Sequence, residues 1–114
     1  MRAADAAARA IRDHGPIGFD EYMELTLYGE DGYYHDPPVG PHGDFVTSPH
    51  VHPVFAELLA RGLADLHARL GQPVPFRIAE VGAGDGTLAG AMLPHLAPLH
   101  PAYTAVERSR GALA

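Results

Sequence analysis

A chain of 114 residues with a formal net charge of −6 and no cysteine has room for one domain with a modest core. Its composition excludes a disulfide framework and a thiolate metal site, and it argues against nucleic-acid binding, which shows a clustered basic excess. No apolar run approaches the roughly 20 residues of a membrane span, so the expected setting is cytoplasmic, with neither membrane nor nucleic acid as partner.

Ala3 to His14 is rich in strong helix formers, and Gly15-Pro16 is a stop signal. Its Ala and Arg suggest a transit peptide, but Asp5 and Asp13 favour an ordinary N-terminal helix. Gly18 is placed to cap a second helix, with Asp20 and Glu21 complementing its dipole. Phe19, Tyr22, Met23, Thr26 and Leu27 recur at helical spacing and predict a core-packed face.

Residues 29–53 hold too many glycines and prolines for a long regular element. Tyr33, Tyr34 and Phe45 favour a packed, functional loop. Pro53 suits a first helical turn, and Phe55, Leu58, Leu59, Leu63, Leu66 and Leu70 give the apolar stripe of the strongest helix, which Gly71 closes.

The stretch FRIAEVGAGDGT, Phe76 to Thr87, reads as a buried strand, a glycine turn and the start of a helix. That helix runs from Thr87 to Leu93 before Pro94 bends or ends it. Ala102 to Glu107 reads as a second strand. Strand, glycine turn, helix and strand make half of a doubly wound α/β unit.

Glycines at 82, 84 and 86 let a backbone pass close to a ligand. A dinucleotide fingerprint needs G-x-G-x-x-G, and its third glycine would fall at Thr87. What stands here is E-x-G-x-G-x-G, from Glu80 through Gly82, Gly84 and Gly86. Glu107 lies about 20 residues beyond the turn, where a carboxylate can accept from both ribose hydroxyls of an adenosine cofactor. That position suits S-adenosylmethionine and a nicotinamide dinucleotide alike.

The glycine pattern resembles the first motif of the Rossmann-like S-adenosylmethionine-dependent methyltransferases. Gly-Pro-Ile at 15–17, Gly-Tyr-Tyr at 32–34 and Gly-Asp-Phe-Val-Thr-Ser-Pro at 43–49 narrow it. Together with the glycine motif they resemble the MidA-like methyltransferases over about residues 10 to 110. Mitochondrial members of that family are complex I assembly factors that methylate arginine on a complex I subunit.

The resemblance implies S-adenosyl-L-methionine as cofactor and a protein substrate. It puts the turn of Gly82, Gly84, Asp85 and Gly86 beneath the methionine and ribose, with Glu80 orienting the methionine end. It also makes Gly43, Asp44, Thr47 and Ser48 line the pocket. Taken alone, Thr47 and Ser48 read as starting the next helix. The chain departs from the family pattern at His50, where Glu is usual, at His52, and at Asp85, where Arg is frequent. A catalytic residue is not identified. Eight histidines lack the cysteines or the four-residue helical pairing of a metal site, so no metal is expected. His50 or His52 has the titration range of a base for a methyl acceptor.

The expected architecture is α/β. Residues 1–75 form an N-terminal helical region with a cofactor-flanking loop at about 29–53. Residues 76–114 begin a Rossmann-like domain whose seven-stranded sheet needs more sequence. The chain therefore reads as a fragment, inactive alone, with a sheet edge open to self-association. A non-catalytic binding or assembly module built on the same unit is the alternative.

Overall fold

A computed structural model describes residues 2–36 and 38–113. The chain divides into two compact units, one within Met1–Pro38 and Ser109–Ala114, the other Val39–Arg108.

The first unit opens with helix α1, Ala3–His14, which ends where Gly15 turns to φ 84° and donates its N–H to the Ile11 carbonyl at 2.9 Å. Helix α2, Phe19–Met23, runs directly into a π-helical turn, Glu24–Tyr28. The change to i→i+5 spacing breaks the phase on which the expected apolar face depends. Phe19 is 74 % exposed and stacks on Tyr22 at 6.0 Å, and Tyr22 and Met23 are exposed as well. That stripe is therefore not a core. In the following loop Tyr33 is also exposed, whereas Tyr34 is half-buried, stacks on Tyr28 at 5.5 Å, and accepts the Ser109 hydroxyl at its carbonyl.

The second unit starts inside the expected loop. Val39 bridges Phe45, which is exposed rather than buried. The short helix α3, Ser48–Val51, precedes α4, Val54–Arg69. Strand β1, Phe76–Val81, leads through the glycine turn into α5, Thr87–Leu96, a 3-10 turn at Ala97–Leu99 and strand β2, Pro101–Val106. The strands are parallel, in register from Phe76 opposite Pro101 to Val81 opposite Val106.

Of the two outcomes expected at Pro94, a bend or an end, the helix does not end there: α5 continues to Leu96. A proline so near a helix end forfeits one i→i−4 bond, and the extra turn carries Leu96, 0 % exposed, into the core.

That core joins Leu96 and Met92 of α5 to Ala56 and Ala60 of α4, with Leu63, Ile78 and Tyr103 around them. The buried residues of α4 are thus Ala56, Ala60 and His67, with Leu63 of the expected leucine stripe half-buried beside them, while Leu58 and Leu70 of that stripe are each 60 % exposed. Small alanines let α4 and α5 approach closely, which leucines at the same positions would prevent. His67 closes the lower end, its ring 4.7 Å from that of Phe76 and its Nε2 3.2 Å from the Pro73 carbonyl. On β1, Phe76, Ile78 and Glu80 are shielded, while Arg77, Ala79 and Val81 are exposed.

Candidate cofactor site

The site is built where β1 ends. Gly82, Gly84 and Gly86 take φ values of 76°, 58° and 80°, alternating through a left-handed region that costs side-chain-bearing residues about 1–2 kcal/mol each. A Cβ added at any of the three would meet nothing within 4 Å. Backbone conformation, not crowding by the protein, therefore calls for glycine, and the outer surface of the turn is open.

Five amides of this turn bond within the protein. Gly82 and Ala83 donate to the Val106 carbonyl at 2.8 and 3.1 Å, and Gly86 to the Ala83 carbonyl at 3.1 Å. Gly84 donates to Glu107 Oε2 at 2.7 Å, and Thr87 to Asp85 Oδ1 at 3.0 Å. A phosphate-cradling turn presents such amides to the anion. Here these five amides are already paired, two of them with the carboxylates of Glu107 and Asp85.

Each carboxylate has a distinct setting. Glu107, just past β2, accepts from the amides of Gly84 and Arg108, both at 2.7 Å. Glu80 accepts at Oε2 from the Tyr103 hydroxyl at 2.5 Å, and Oε1 receives no hydrogen bond from the described residues. Burial, and then this bond to Glu80, push the Tyr103 phenol well above the ordinary tyrosine range. The Asp85 carboxyl is held down at about 2 by the hydroxyl and amide of Thr87, with a smaller contribution from His50.

His50 is the link to the upstream loop. Its Nε2 lies 3.2 Å from Asp85 Oδ2, and its Nδ1 lies 3.0 Å from the Thr47 hydroxyl. The two conspicuous departures from the family pattern, His50 and Asp85, thus meet each other. Thr47 is the residue preceding α3 but bonds His50 instead of capping the helix amides, and Ser48 starts the helix itself. Gly43 donates to the Gly40 carbonyl at 3.1 Å, within its own loop. Asp44 is exposed. His52 accepts the Val54 amide at Nδ1, 3.0 Å away, and so serves the start of α4.

Tyr103 was legible only as a β-former. Its pairing with Glu80 follows from the parallel register, which sets Ala105 opposite Glu80 and Tyr103 two residues earlier on the same face. Among the described residues, no three His, Asp or Glu side chains gather as metal ligands.

Residues 58–112 match a family model described as "Putative S-adenosyl-L-methionine-dependent methyltransferase". The chain is 42 % identical over 85 residues to the mitochondrial protein arginine methyltransferase NDUFAF7 homolog of Drosophila melanogaster, and 38 % identical over 85 residues to NDUFAF7 of Homo sapiens. These alignments take in 73 % of this chain but only 20 % and 19 % of those proteins. The chain therefore spans about a fifth of the length of the curated relatives it matches. A Burkholderia thailandensis crystal structure bound to S-adenosyl-homocysteine superposes with a TM-score of 0.72 at 34 % identity, over 97 % of this chain and 32 % of that one.

Proposed function

Because the chain belongs to the MidA-like family of S-adenosylmethionine-dependent methyltransferases, we propose that Val39–Arg108 supplies the cofactor-binding part of an enzyme that methylates protein, with arginine as acceptor. The arginine assignment rests on the names of the mitochondrial relatives.

The observation that carries the cofactor reading is the pairing state of the glycine turn. The amides of Gly82, Ala83, Gly84, Gly86 and Thr87 are occupied by Val106, Glu107, Ala83 and Asp85, two of these acceptors being carboxylates, and Glu80 stands at the end of the strand that feeds the turn. Such a surface disfavours a pyrophosphate and favours a cationic, phosphate-free adenosine compound. S-adenosylmethionine is of that kind, and when bound it supplies an electrophilic methyl group whose transfer leaves a neutral thioether.

The residues divide the work accordingly. The open glycine surface lets backbone pass beneath the ligand. Glu107 holds the Gly84 amide and, as a carboxylate with two acceptor oxygens at the end of the second strand, is the group for the ribose hydroxyls. Glu80, steadied by Tyr103, presents Oε1 toward the ammonium end. Their shared task is positioning.

Calorimetry with S-adenosyl-homocysteine tests this reading on the wild type and on Gly84→Val. Binding by the wild type and its loss in the variant support it; a folded wild type that does not bind ends it. A second reading, a non-catalytic docking module, is favoured by the exposed sheet face, where Val81 is 83 % exposed. It predicts concentration-dependent association without cofactor binding.

A further inference from the structure

Loop 39–53 and the glycine turn are 35 residues apart at their contact, yet one side chain bridges them. His50 is only 12 % exposed, although Asp85, its partner at 3.2 Å, is 50 % exposed. We propose that His50 and Asp85 form a latch that fastens α3 to the glycine turn and thereby makes residues 43–52 one wall of the cofactor site; the cofactor part of this inference rests on the function proposed above.

The chemistry of the chain of contacts supports it. A carboxylate only accepts, so His50 must place a proton on Nε2 to bond Asp85. In the neutral imidazole Nδ1 is then the acceptor, and the Thr47 hydroxyl donates to it. In the imidazolium both nitrogens donate, and the Thr47 oxygen accepts. Asp85 keeps Oδ1 for the Thr87 amide in either case. The link between the two segments therefore holds in both protonation states, and protonation only adds charge to it. Neither His50 nor Asp85 is assigned a chemical step; both are positioning residues.

The pair also has a testable symmetry. A histidine in this chain already accepts an amide two residues ahead, since His52 Nδ1 takes the Val54 N–H. A histidine at position 85 can take the Thr87 amide in the same way and leave Nε2 facing position 50. A glutamate at position 50 has the reach to meet it and to accept from Thr47.

The experiment compares wild type, His50→Glu, Asp85→His and the double exchange by two readouts. One is the S-adenosyl-homocysteine dissociation constant. The other is amide hydrogen exchange of residues 43–52 without ligand. Each single change is expected to weaken binding about 3- to 5-fold and to speed exchange in that segment, and the double exchange to restore both to within about twofold. A double exchange no better than the worse single variant overturns the latch, as do singles that leave exchange in residues 43–52 unchanged. If the wild type fails to bind the ligand, the cofactor reading falls, and the exchange arm still decides whether the latch exists.

Discussion

Glu107 Oε2 accepts the Gly84 N–H at 2.7 Å, tying the end of β2 to the middle of the glycine turn across 23 residues. Glu107→Gln keeps an acceptor for that amide, whereas Glu107→Ala leaves a half-buried N–H without its partner. The alanine variant should lose about 1.5–3 kcal/mol of stability, the range for a hydrogen bond to a charged group. The glutamine variant should lose less than half as much. Urea denaturation of the two variants checks this, and equal losses would mean that the bond does not organise the turn.

The Tyr103 phenol, raised by burial and by its bond to Glu80, should stay protonated when ordinary tyrosines ionise. A phenol that is harder to ionise in the folded state stabilises fully below the unfolded value near 10. That stabilisation is lost only as pH rises through the higher folded value. At about pH 11 the wild type and Tyr103→Phe should therefore show the same phenolate absorbance. A deficit of one phenolate in the variant would show that Tyr103 titrates normally.

Asp85 runs the opposite way. Its folded value of about 2 lies below the ordinary 3.8, so its contribution is present above 3.8 and disappears as pH falls toward 2. Because the side chain is half-exposed, screening keeps the effect below about 1 kcal/mol. Asp85→Asn should flatten the stability profile between those pH values. An unchanged slope would remove Asp85 from the acid response.

The helix pair α4–α5 offers a packing test. Ala60 is 1 % exposed against α5, and Leu58 is 60 % exposed. Ala60→Leu should cost about 1–3 kcal/mol by overpacking, and Leu58→Ala should stay within about 0.5 kcal/mol. The reverse order, read from thermal or chemical denaturation, would restore the leucine stripe as the buried face.

Local signals were the legible ones. The ends of α1 and of α4 follow from Gly15 and Gly71, and β1 with its glycine turn follows from an apolar run meeting three alternating glycines. The buried face of α4 was not legible, because periodicity weights leucine by hydropathy while helix approach selects alanine. The π turn after Met23 was hidden for a related reason: a one-residue change of spacing leaves composition untouched. At the site, Glu80 and Glu107 were legible as residues but not as partners of Tyr103 and Gly84. His50 and Asp85 were both visible as departures from a pattern, and only the fold brings them together.

The central claim is that the glycine turn, with the amides of Gly82, Ala83, Gly84, Gly86 and Thr87 paired within the protein and the carboxylates of Asp85 and Glu107 bonded to it, takes a cationic adenosine compound and rejects a phosphorylated one. Calorimetry of S-adenosylmethionine and ATP against the same protein tests it most directly. Saturable binding of S-adenosylmethionine, undisturbed by excess ATP, is the predicted result. Binding of ATP at the turn, abolished by Gly84→Val and competing with S-adenosylmethionine or replacing it, would contradict the account.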